Sequence, residues 1–341
     1  MMERSWPLRA LSVILSLPLL FVALLMAFAE QDSKAVRIIA FGDDEGVTQR
    51  PGRDLNRKNL FHRQLIEHLK TLEQKGEQID LILHTGDFVR FDPGPDLYIE
   101  SLGPLLEKFY PTTGGDEEFL QGHYTDFIKR TPHLWKLVEK RIEEDGNSSE
   151  YYYYTRQKGV HILSLFSPDE YGEPGEYKSR DFFQASNKEL PQYMWLLNTL
   201  ERIRNKEQDD GVIIVLSHRP IFNYSKHLVE LFDKYHVDLV LGGNIHVYAK
   251  QTYKNTLYIV TGITGDWAVG GCERLNENLS PDFIVKYDPC LPEKFVNRRL
   301  SYDYVWDHYL DITVRGKEID VKVVQLKDFS LIEQIVHKRG K

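Results

Sequence analysis

The amino-acid sequence predicts an α/β protein. Four apolar runs each stop abruptly at a polar residue, and the segments between them carry apolar residues at helical spacing. Strands that are apolar throughout fit a sheet covered on both faces, and their alternation with amphipathic helices is typical of α/β folds. Ligands of such sheets gather at the carboxyl ends of the strands. The runs end at polar residues whose side chains predict a metal site there, namely Asp43, Asp87, His218 and His246.

In the first half of the chain the pattern predicts strands and helices in alternation. Loops containing proline follow the first two strands and separate each from a helical stretch. Four tyrosines at 151–154 are expected to lie on alternate faces of a strand. The predicted strands are 36–43, 79–87, 150–154 and 160–166, and the predicted helices are 60–72, 97–109 and 134–142.

The second half continues this alternation and then becomes rich in strands. Residues 265–308 show no clear periodicity and are expected to form a long excursion. No repeat or low-complexity tract divides the chain, so one domain over residues 30–341 is the simplest organisation. The predicted helices are 194–203 and 226–235, and the predicted strands are 212–218, 239–246, 257–260, 309–314 and 319–324.

The N-terminus has the layout of an export signal. Two arginines, Arg4 and Arg9, precede a long apolar stretch that ends in Ala27-Phe28-Ala29, a cleavage pattern of small residues. We therefore expect a signal peptide over residues 1–29, a secreted or periplasmic protein, and no stable membrane insertion after cleavage. An uncleaved membrane anchor is the alternative, since the apolar stretch approaches the roughly 20 residues that a spanning helix needs.

The charge balance argues against a nucleic-acid partner. The 341 residues carry a formal net charge of -8 at pH 7, and the basic residues at 50–58 form only a loose cluster. An acidic protein without a dense basic patch repels nucleic acid. The two cysteines, Cys272 and Cys290, fit an oxidising compartment in which one disulfide closes a loop, and a pair of buried thiols is the alternative.

Asp87 is the candidate bridge between two metal ions. A hydrolytic site with two ions needs a bridging carboxylate, further oxygen or imidazole ligands, and open positions for water and substrate. A single Gly-Asp pair is usually a turn or a helix cap. Two such pairs at strand ends, together with His218 and His246, favour metal ligands.

Five motifs occur along the chain in a characteristic order. They are Asp43-Asp44-Glu45, Gly86-Asp87-Phe88-Val89, Gly115-Asp116-Glu117-Glu118, the lone His218, and Gly243-Asn244-Ile245-His246. In spacing and order they resemble the motifs of the calcineurin-like metallophosphoesterases, a family that includes the purple acid phosphatases. The resemblance spans residues 36 to about 325. It implies two central mixed β-sheets flanked by helices, and a metal-dependent hydrolase of phosphoric monoesters or diesters.

The resemblance also implies ligands for two metal ions. Asp43, Asp87 and His246 would hold one ion. The second ion would be held by Asp87 together with Asp116, His218 and Asn244.

Four positions depart from the family pattern. Glu45 and Asn244 stand where histidines are usual, and Asp116 stands for an asparagine. Glu117 stands where the family often has a histidine that assists catalysis. The alignment of the third motif is open, because Gly115 could occupy the asparagine position. In that case one ligand is missing and Asp116 takes the place of the catalytic histidine.

Three of the departures share one chemistry. Glu45, Asp116 and Asn244 all offer oxygen, which favours harder ions such as magnesium, manganese or calcium, whereas imidazole favours zinc, copper and iron. Random decay would more often leave alanine, serine or leucine. Because the site combines these oxygen ligands with histidines, the expected cofactors are two divalent or trivalent ions among manganese, iron, magnesium and zinc. A catalytically silent relative that serves as a secreted binding protein is the alternative.

The reaction that the resemblance implies is in-line attack on phosphorus by a metal-bound hydroxide, with a phosphorylated small molecule or macromolecule as substrate. Glu117 and Asp116 are the catalytic candidates, since an acid near the leaving group can protonate it. Two cations keep such a carboxylate ionised, so activated aryl phosphates should react faster than alkyl phosphates. Arg90 and Arg219 are candidates for phosphate contact, with a surface or structural role as the alternative.

The other histidines are interpreted from their positions. His84, close before the second Gly-Asp pair, is expected to pack in its strand or to orient a ligand through a hydrogen bond. Substrate specificity is expected from the loops at 46–57, 88–97, 117–150 and 265–308. Four histidines on or beside predicted helices are expected to face solvent, namely His62, His68, His227 and His236.

Overall fold

The computed structural model describes most of the chain between Ala35 and Arg339. Contacts group the described residues from Val36 onward into one compact unit. The predicted signal peptide and both cysteines lie outside the described residues, so their roles stay predictions. No helix in the described ranges is both long and apolar enough to cross a membrane. The structure describes residues 35–44, 53–89, 95–114, 122–148, 151–167, 190–244, 248–262 and 307–339.

Strands and helices alternate through the described ranges. The strands are β1 (Val36–Phe41), β2 (Leu81–His84), β3 (Phe109–Pro111), β4 (Tyr153–Gln157), β5 (Val160–Ser164), β6 (Ile213–Leu216), β7 (Leu239–Gly242), β8 (Ala249–Tyr253), β9 (Thr256–Val260), β10 (His308–Arg315), β11 (Glu318–Gln325) and β12 (Leu331–Lys338). The α-helices are α1 (Arg53–Gln74), α2 (Pro95–Leu102), α3 (His123–Arg130), α4 (Pro132–Asp145), α5 (Pro191–Glu201), α6 (Ile221–Tyr224) and α7 (Lys226–Lys234). A 3₁₀ helix, Gly103–Lys108, follows α2, and a π-helical turn, Arg202–Lys206, continues α5.

Two mixed sheets of six strands each form the centre of the described fold. The first has the order β12-β11-β10-β1-β2-β3, and the second has the order β4-β5-β6-β7-β9-β8. Strands β1, β2 and β3 are parallel, as are β5, β6, β7 and β9, whereas the outer strands pair antiparallel. This architecture confirms the predicted α/β fold with two mixed sheets flanked by helices.

The central strands are buried along their whole length. Every residue of β2, β6 and β7 is buried, and in β1 only Arg37 reaches solvent in part. Each strand is shorter than the apolar run that predicts it, because the chain leaves the sheet two or three residues before Asp43, Asp87 and His218. These polar residues therefore lie in the turns that follow the strands.

The sequence pattern does not predict β3, β8, β12 or α3. The apolar stretch at 97–109 divides into α2, the 3₁₀ helix and the start of β3, since Pro104 lacks the N–H that would continue α2. Strand β4 begins at Tyr153, and Tyr151 and Tyr152 before it are also buried. Tyr153 and Tyr154 are consecutive residues of β4, whose side chains alternate between its faces, whereas Tyr151 and Tyr152 precede the strand and the expectation does not apply to them.

Candidate metal centre

The predicted aspartates lie in sharp turns after β1 and β2. Asp43 has φ of 56° and Asp87 has φ of 55°, and Asn244, after β7, has φ of 70°. Left-handed backbone of this kind is uncommon outside glycine, although aspartate and asparagine adopt it more readily than other residues. Such conformations persist where the surrounding structure enforces them, and they cluster at functional sites. The three turns therefore mark this end of the sheets as the candidate site.

Asp43, Asp87 and His218 come together at this end. One side-chain nitrogen or oxygen from each lies within 4.8 Å of those from the other two, and all three residues are buried. His218 Nε2 lies 3.5 Å from Asp87 Oδ2. Two carboxylate oxygens and one imidazole nitrogen are donors that divalent cations accept in proteins. The group could therefore hold a metal ion.

The ring of His218 is oriented by Thr85. A carbonyl oxygen can only accept, so His218 Nδ1–H donates to the Thr85 carbonyl at 2.8 Å. In the neutral ring this places the lone pair on Nε2, the atom that faces Asp87. Metal-binding histidines are commonly held in this way, by a backbone carbonyl on the other ring nitrogen. The sequence pattern did not single out Thr85, because a backbone carbonyl leaves no mark on residue type.

Glycines allow the backbone to pass close to these side chains. A Cβ at Gly243 would lie 2.8 Å from Asp43 Oδ2, and a Cβ at Gly86 would lie 2.7 Å from His218 Nδ1. A Cβ at Gly114, after β3, would overlap Asp87. Any larger residue at these three positions would have to displace a candidate ligand, so the glycines are part of the site.

Asn244 and Arg219 also lie beside the three candidate ligands. The backbone N–H of Asn244 donates to Asp43 Oδ1 at 2.9 Å, which ties the turn after β7 to the turn after β1. Arg219 is half-buried and directly follows His218. The metal-binding role of the Asn244 side chain and the phosphate contact of Arg219 stay predictions.

The other predicted site residues lie outside the described residues. Their roles as ligand, acid or phosphate contact, and the alignment of the third motif, stay predictions. These residues are Glu45, Arg90, Asp116, Glu117 and His246.

A buried polar cluster lies behind the two ligand-bearing turns. Asp44 accepts a hydrogen bond from His62 Nδ1–H at 2.6 Å and another from the Tyr98 hydroxyl at 3.1 Å. His84 Nε2 lies 3.3 Å from Asp44 Oδ1, and His84 Nδ1 accepts from the N–H of Gly86 at 3.1 Å. His84 thus packs at the end of its strand and also holds the Gly86-Asp87 turn.

The prediction that His62 faces solvent is wrong. Its side chain is fully buried on α1 and reaches Asp44 on one side and Ser101 Oγ, at 2.8 Å, on the other. The helical period indicates this burial, because His62 lies on the same face of α1 as the buried Leu65, Ile66 and Leu69. Among the other histidines expected in solvent, His236 is exposed, whereas His68 and His227 are half-buried.

The cluster keeps Asp44 ionised. Burial alone raises the pKa of Asp44, but the charge interactions and hydrogen bonds of His62 and His84 outweigh burial and lower that pKa well below its usual range. Burial lowers the pKa of His84, and its contact with Asp44 opposes that shift only in part. A buried carboxylate paired with two imidazoles is therefore the electrostatic support of the turn after β1.

Two curated plant proteins are similar to part of this chain. A probable purple acid phosphatase 20 from Arabidopsis thaliana is 33% identical over 140 residues, which is 37% of this chain and 27% of that protein. A phosphoenolpyruvate phosphatase from Allium cepa is 28% identical over 144 residues, 38% of this chain and 24% of that protein. The chain thus spans about a quarter of the length of these relatives.

Two solved structures share the fold. Purple acid phosphatase PPD1 from yellow lupin (Lupinus luteus) seeds matches with a TM-score of 0.53 and 14% identity, covering 91% of this chain and 55% of that one. GAP50, described as the anchor in the inner membrane complex of Plasmodium, matches with a TM-score of 0.52 and 12% identity, covering 90% of each chain. At these identities the likeness concerns the fold alone.

The family profile of the calcineurin-like phosphoesterases matches residues 59–248, more than half of the chain. That region contains Asp87 and His218, the strands that position them, and the turns that bring them to Asp43. The resemblance drawn from the five motifs is confirmed: the chain belongs to the calcineurin-like phosphoesterase family, with purple acid phosphatases among its relatives.

Proposed function

We propose that this protein is a metal-dependent hydrolase of phosphoric esters. Membership of the calcineurin-like phosphoesterases supports phosphoester hydrolysis in general. The single observation that carries the proposal is the convergence of Asp43, Asp87 and His218 on one buried point. Cations bound at such a site lower the pKa of water and offset negative charge on phosphoryl oxygens.

Different residues of the chain would bind metal, orient a metal ligand and contact the substrate. Asp43 and Asp87 would supply carboxylate oxygens, and His218 would supply the Nε2 lone pair that Thr85 keeps directed at Asp87. Arg219, half-buried beside His218, would contact the phosphate of the substrate.

Residues outside the described ranges would complete the centre. Glu45, Asp116 and His246, with Asn244, would fill the remaining ligand positions for two ions. Glu117 or Asp116 would stand near the leaving group, and Arg90 would add a second phosphate contact. The substrate would be a phosphorylated small molecule or macromolecule.

The test combines metal analysis of the purified protein with hydrolysis assays. Mono- and bis-p-nitrophenyl phosphate are supplied with manganese, magnesium, zinc or iron in turn. We expect turnover that requires metal and that falls at least about 100-fold in Asp87→Asn, since charge stabilisation by a bound ion is worth several kcal/mol. Asp80→Asn is the matched control, because the Asp80 and Asp87 side chains are both 7% exposed and Asp80 lies before β2, away from the site.

The two alternatives give different results. A wild-type protein that binds metal and hydrolyses neither ester would favour the catalytically silent binding protein. A protein with no bound metal and no turnover would defeat the hydrolase proposal. Equal turnover in wild type and Asp87→Asn would defeat the assignment of Asp87.

We propose further that the protein is exported after cleavage of its signal peptide. The support is the positive and apolar N-terminal segment with its Ala27-Phe28-Ala29 pattern. Mass spectrometry of the protein recovered from the producing cell should find Glu30 as the first residue. An intact segment 1–29 on membrane-bound protein would instead support the anchor.

A further inference from the structure

We propose that His84 and Asp44 form a positioning pair that fixes the two ligand-bearing turns relative to each other, and so sets the affinity of the site for metal. The inference rests on the metal-binding role proposed above. Neither residue belongs to the predicted ligand set. Both lie behind the turns that carry Asp43 and Asp87.

The contacts of this pair close a ring. The N–H of Asp43 donates to the carbonyl of Gly86 at 3.0 Å, and the N–H of Gly86 donates to His84 Nδ1 at 3.1 Å. The other imidazole nitrogen of His84, Nε2, lies 3.3 Å from Oδ1 of Asp44. Asp44 is covalently joined to Asp43, so the circuit runs from the first turn to the second and back.

The direction of each contact follows from donor chemistry. A backbone N–H can only donate, so His84 Nδ1 carries the lone pair and its ring proton is on Nε2. That proton faces a carboxylate. A neutral His84 therefore accepts a hydrogen bond from the Gly86 turn with one nitrogen and directs the proton on the other toward the Asp44 carboxylate.

The pair is itself held from the helix side. His62 on α1 and Tyr98 on α2 both donate to Oδ2 of Asp44, leaving Oδ1 toward His84. Asp44, His62 and His84 are each fully buried. Two helices therefore fix the carboxylate from which the ring is built.

The turns need such support because their backbones are strained. Asp43 and Asp87 both have left-handed φ angles. Non-glycine residues in sparsely populated conformations are strained and persist only when the surroundings enforce them. If the ring opens, the turns can relax and move the carboxylates of Asp43 and Asp87 away from the point they share with His218.

Two substitutions of His84 open the ring at opposite sides. His84→Asn places its side-chain oxygen near the position of Nδ1, so it keeps the acceptor for Gly86 and loses the contact with Asp44. His84→Gln places its amide near the position of Nε2, so it keeps a donor toward Asp44 and loses the acceptor for Gly86. His161→Asn is the control, because His161 is equally buried but lies on β5 and contacts Tyr154.

The measurement is calorimetric titration of the full, metal-stripped chain with Mn²⁺ and, separately, Zn²⁺. Urea unfolding without metal is measured on the same samples. We expect both His84 variants to bind metal at least about tenfold more weakly than wild type, the scale on which residues behind metal ligands act. His161→Asn should bind within about threefold of wild type. Should neither His84 variant fold, Asp44→Asn replaces them with the same expectation.

The outcomes separate this inference from the proposed hydrolase. Wild-type affinity in folded His84 variants, with only their unfolding free energy reduced, would overturn the positioning role. A wild type that binds metal but hydrolyses no ester would defeat the hydrolase proposal. The positioning role would still be tested by the metal affinities of the His84 variants relative to wild type. A wild type that binds neither ion overturns both.

Discussion

At the scale of single residues, the candidate centre depends on how three turns leave their strands. Asp43 and Asp87 follow buried parallel strands of the first sheet, and His218 follows one of the second. The left-handed φ angles of the two aspartates turn the chain sharply at that point. Their side chains consequently meet the ring of His218 within 4.8 Å.

Replacement of Gly243 by alanine should weaken metal binding. The new Cβ would lie 2.8 Å from both Asp43 Oδ2 and Thr85 Oγ1, so the Asp43 carboxylate or the Thr85 turn must shift. We expect metal affinity about tenfold lower by calorimetry. Gly146→Ala is the matched control, because Gly146 has a positive φ of 74° but no atom near the added Cβ. It should lose stability without losing affinity, and equal affinity in Gly243→Ala would contradict the packing argument.

The carboxylates of the third motif should limit the choice of substrate. Two cations would keep Glu117 ionised, so it would protonate a poor leaving group badly. The wild type should therefore hydrolyse p-nitrophenyl phosphate much faster than a simple alkyl phosphate, by at least about tenfold. Initial rates at saturating metal measure this ratio. Equal rates on the two esters would show that a competent acid is present.

The sequence predicted the site residues that directly follow an apolar strand. Asp43, Asp87 and His218 each follow an apolar run, so position along the chain was enough to place them together. Asp44 and His62 were not predicted as a pair, since their contact joins residues 18 positions apart in two different elements. Thr85 acts through its carbonyl, which residue type does not reveal.

At the scale of elements, a second buried ionic cluster holds the opposite end of the second sheet. Asp238, just before β7, is fully buried and accepts from the N–H of Ile213 at the start of β6. Arg204, on the π-helical turn, and Arg339, after β12, both reach its Oδ2, at 3.2 and 3.3 Å. The cluster therefore joins elements from both sheets.

Removal of Arg204 should destabilise this end of the fold. Its side chain is 8% exposed, and its loss removes one of the positive charges that pair with the buried carboxylate of Asp238. Arg204→Met should reduce the free energy of unfolding by about 3 kcal/mol, the usual cost of breaking a buried pair. Arg156→Met, at an ion pair where the arginine is 54% exposed, is the control and should cost under about 1 kcal/mol. Urea unfolding measures both, and equal losses would contradict the role of burial.

Buried central strands can be predicted from the sequence more readily than strands at the sheet edges. Buried strands such as β6 and β7 were predicted because they are apolar at every position. Strands β8 and β12 at the sheet edges escaped prediction, since polar residues such as Lys250 and Glu333 interrupt them. These two residues form an ion pair, a tertiary contact that periodicity does not encode.

At the scale of the whole molecule, stability should fall as the solution becomes mildly acidic. Burial lowers the pKa of His84, His133 and His161 from their ordinary value of 6.5. Below pH 6.5 the unfolded chain therefore binds protons that the folded chain does not, and the free energy of unfolding decreases. The contribution is fully present above pH 6.5 and is lost progressively toward the lowered folded values.

Urea unfolding of the metal-free protein at pH 7.5, 6.5 and 5.5 measures this dependence. We expect a steady loss of stability over that range. His161→Gln should lose less between pH 7.5 and 5.5 than wild type does, because one of the responsible rings is gone. Constant or rising stability toward pH 5.5 would contradict the effect of burial on these histidines.

The central claim is that Asp43, Asp87 and His218 hold a metal ion, and anomalous X-ray diffraction from crystals grown with Zn²⁺ or Mn²⁺ tests it most directly. The account predicts anomalous peaks about 2.1 Å from a carboxylate oxygen of each aspartate and from His218 Nε2, either one peak shared by all three residues or two peaks that share Asp87, with Nδ1 still donating to Thr85. The metal at another site only, or a His218 ring turned so that Nδ1 faces the aspartates, would contradict it.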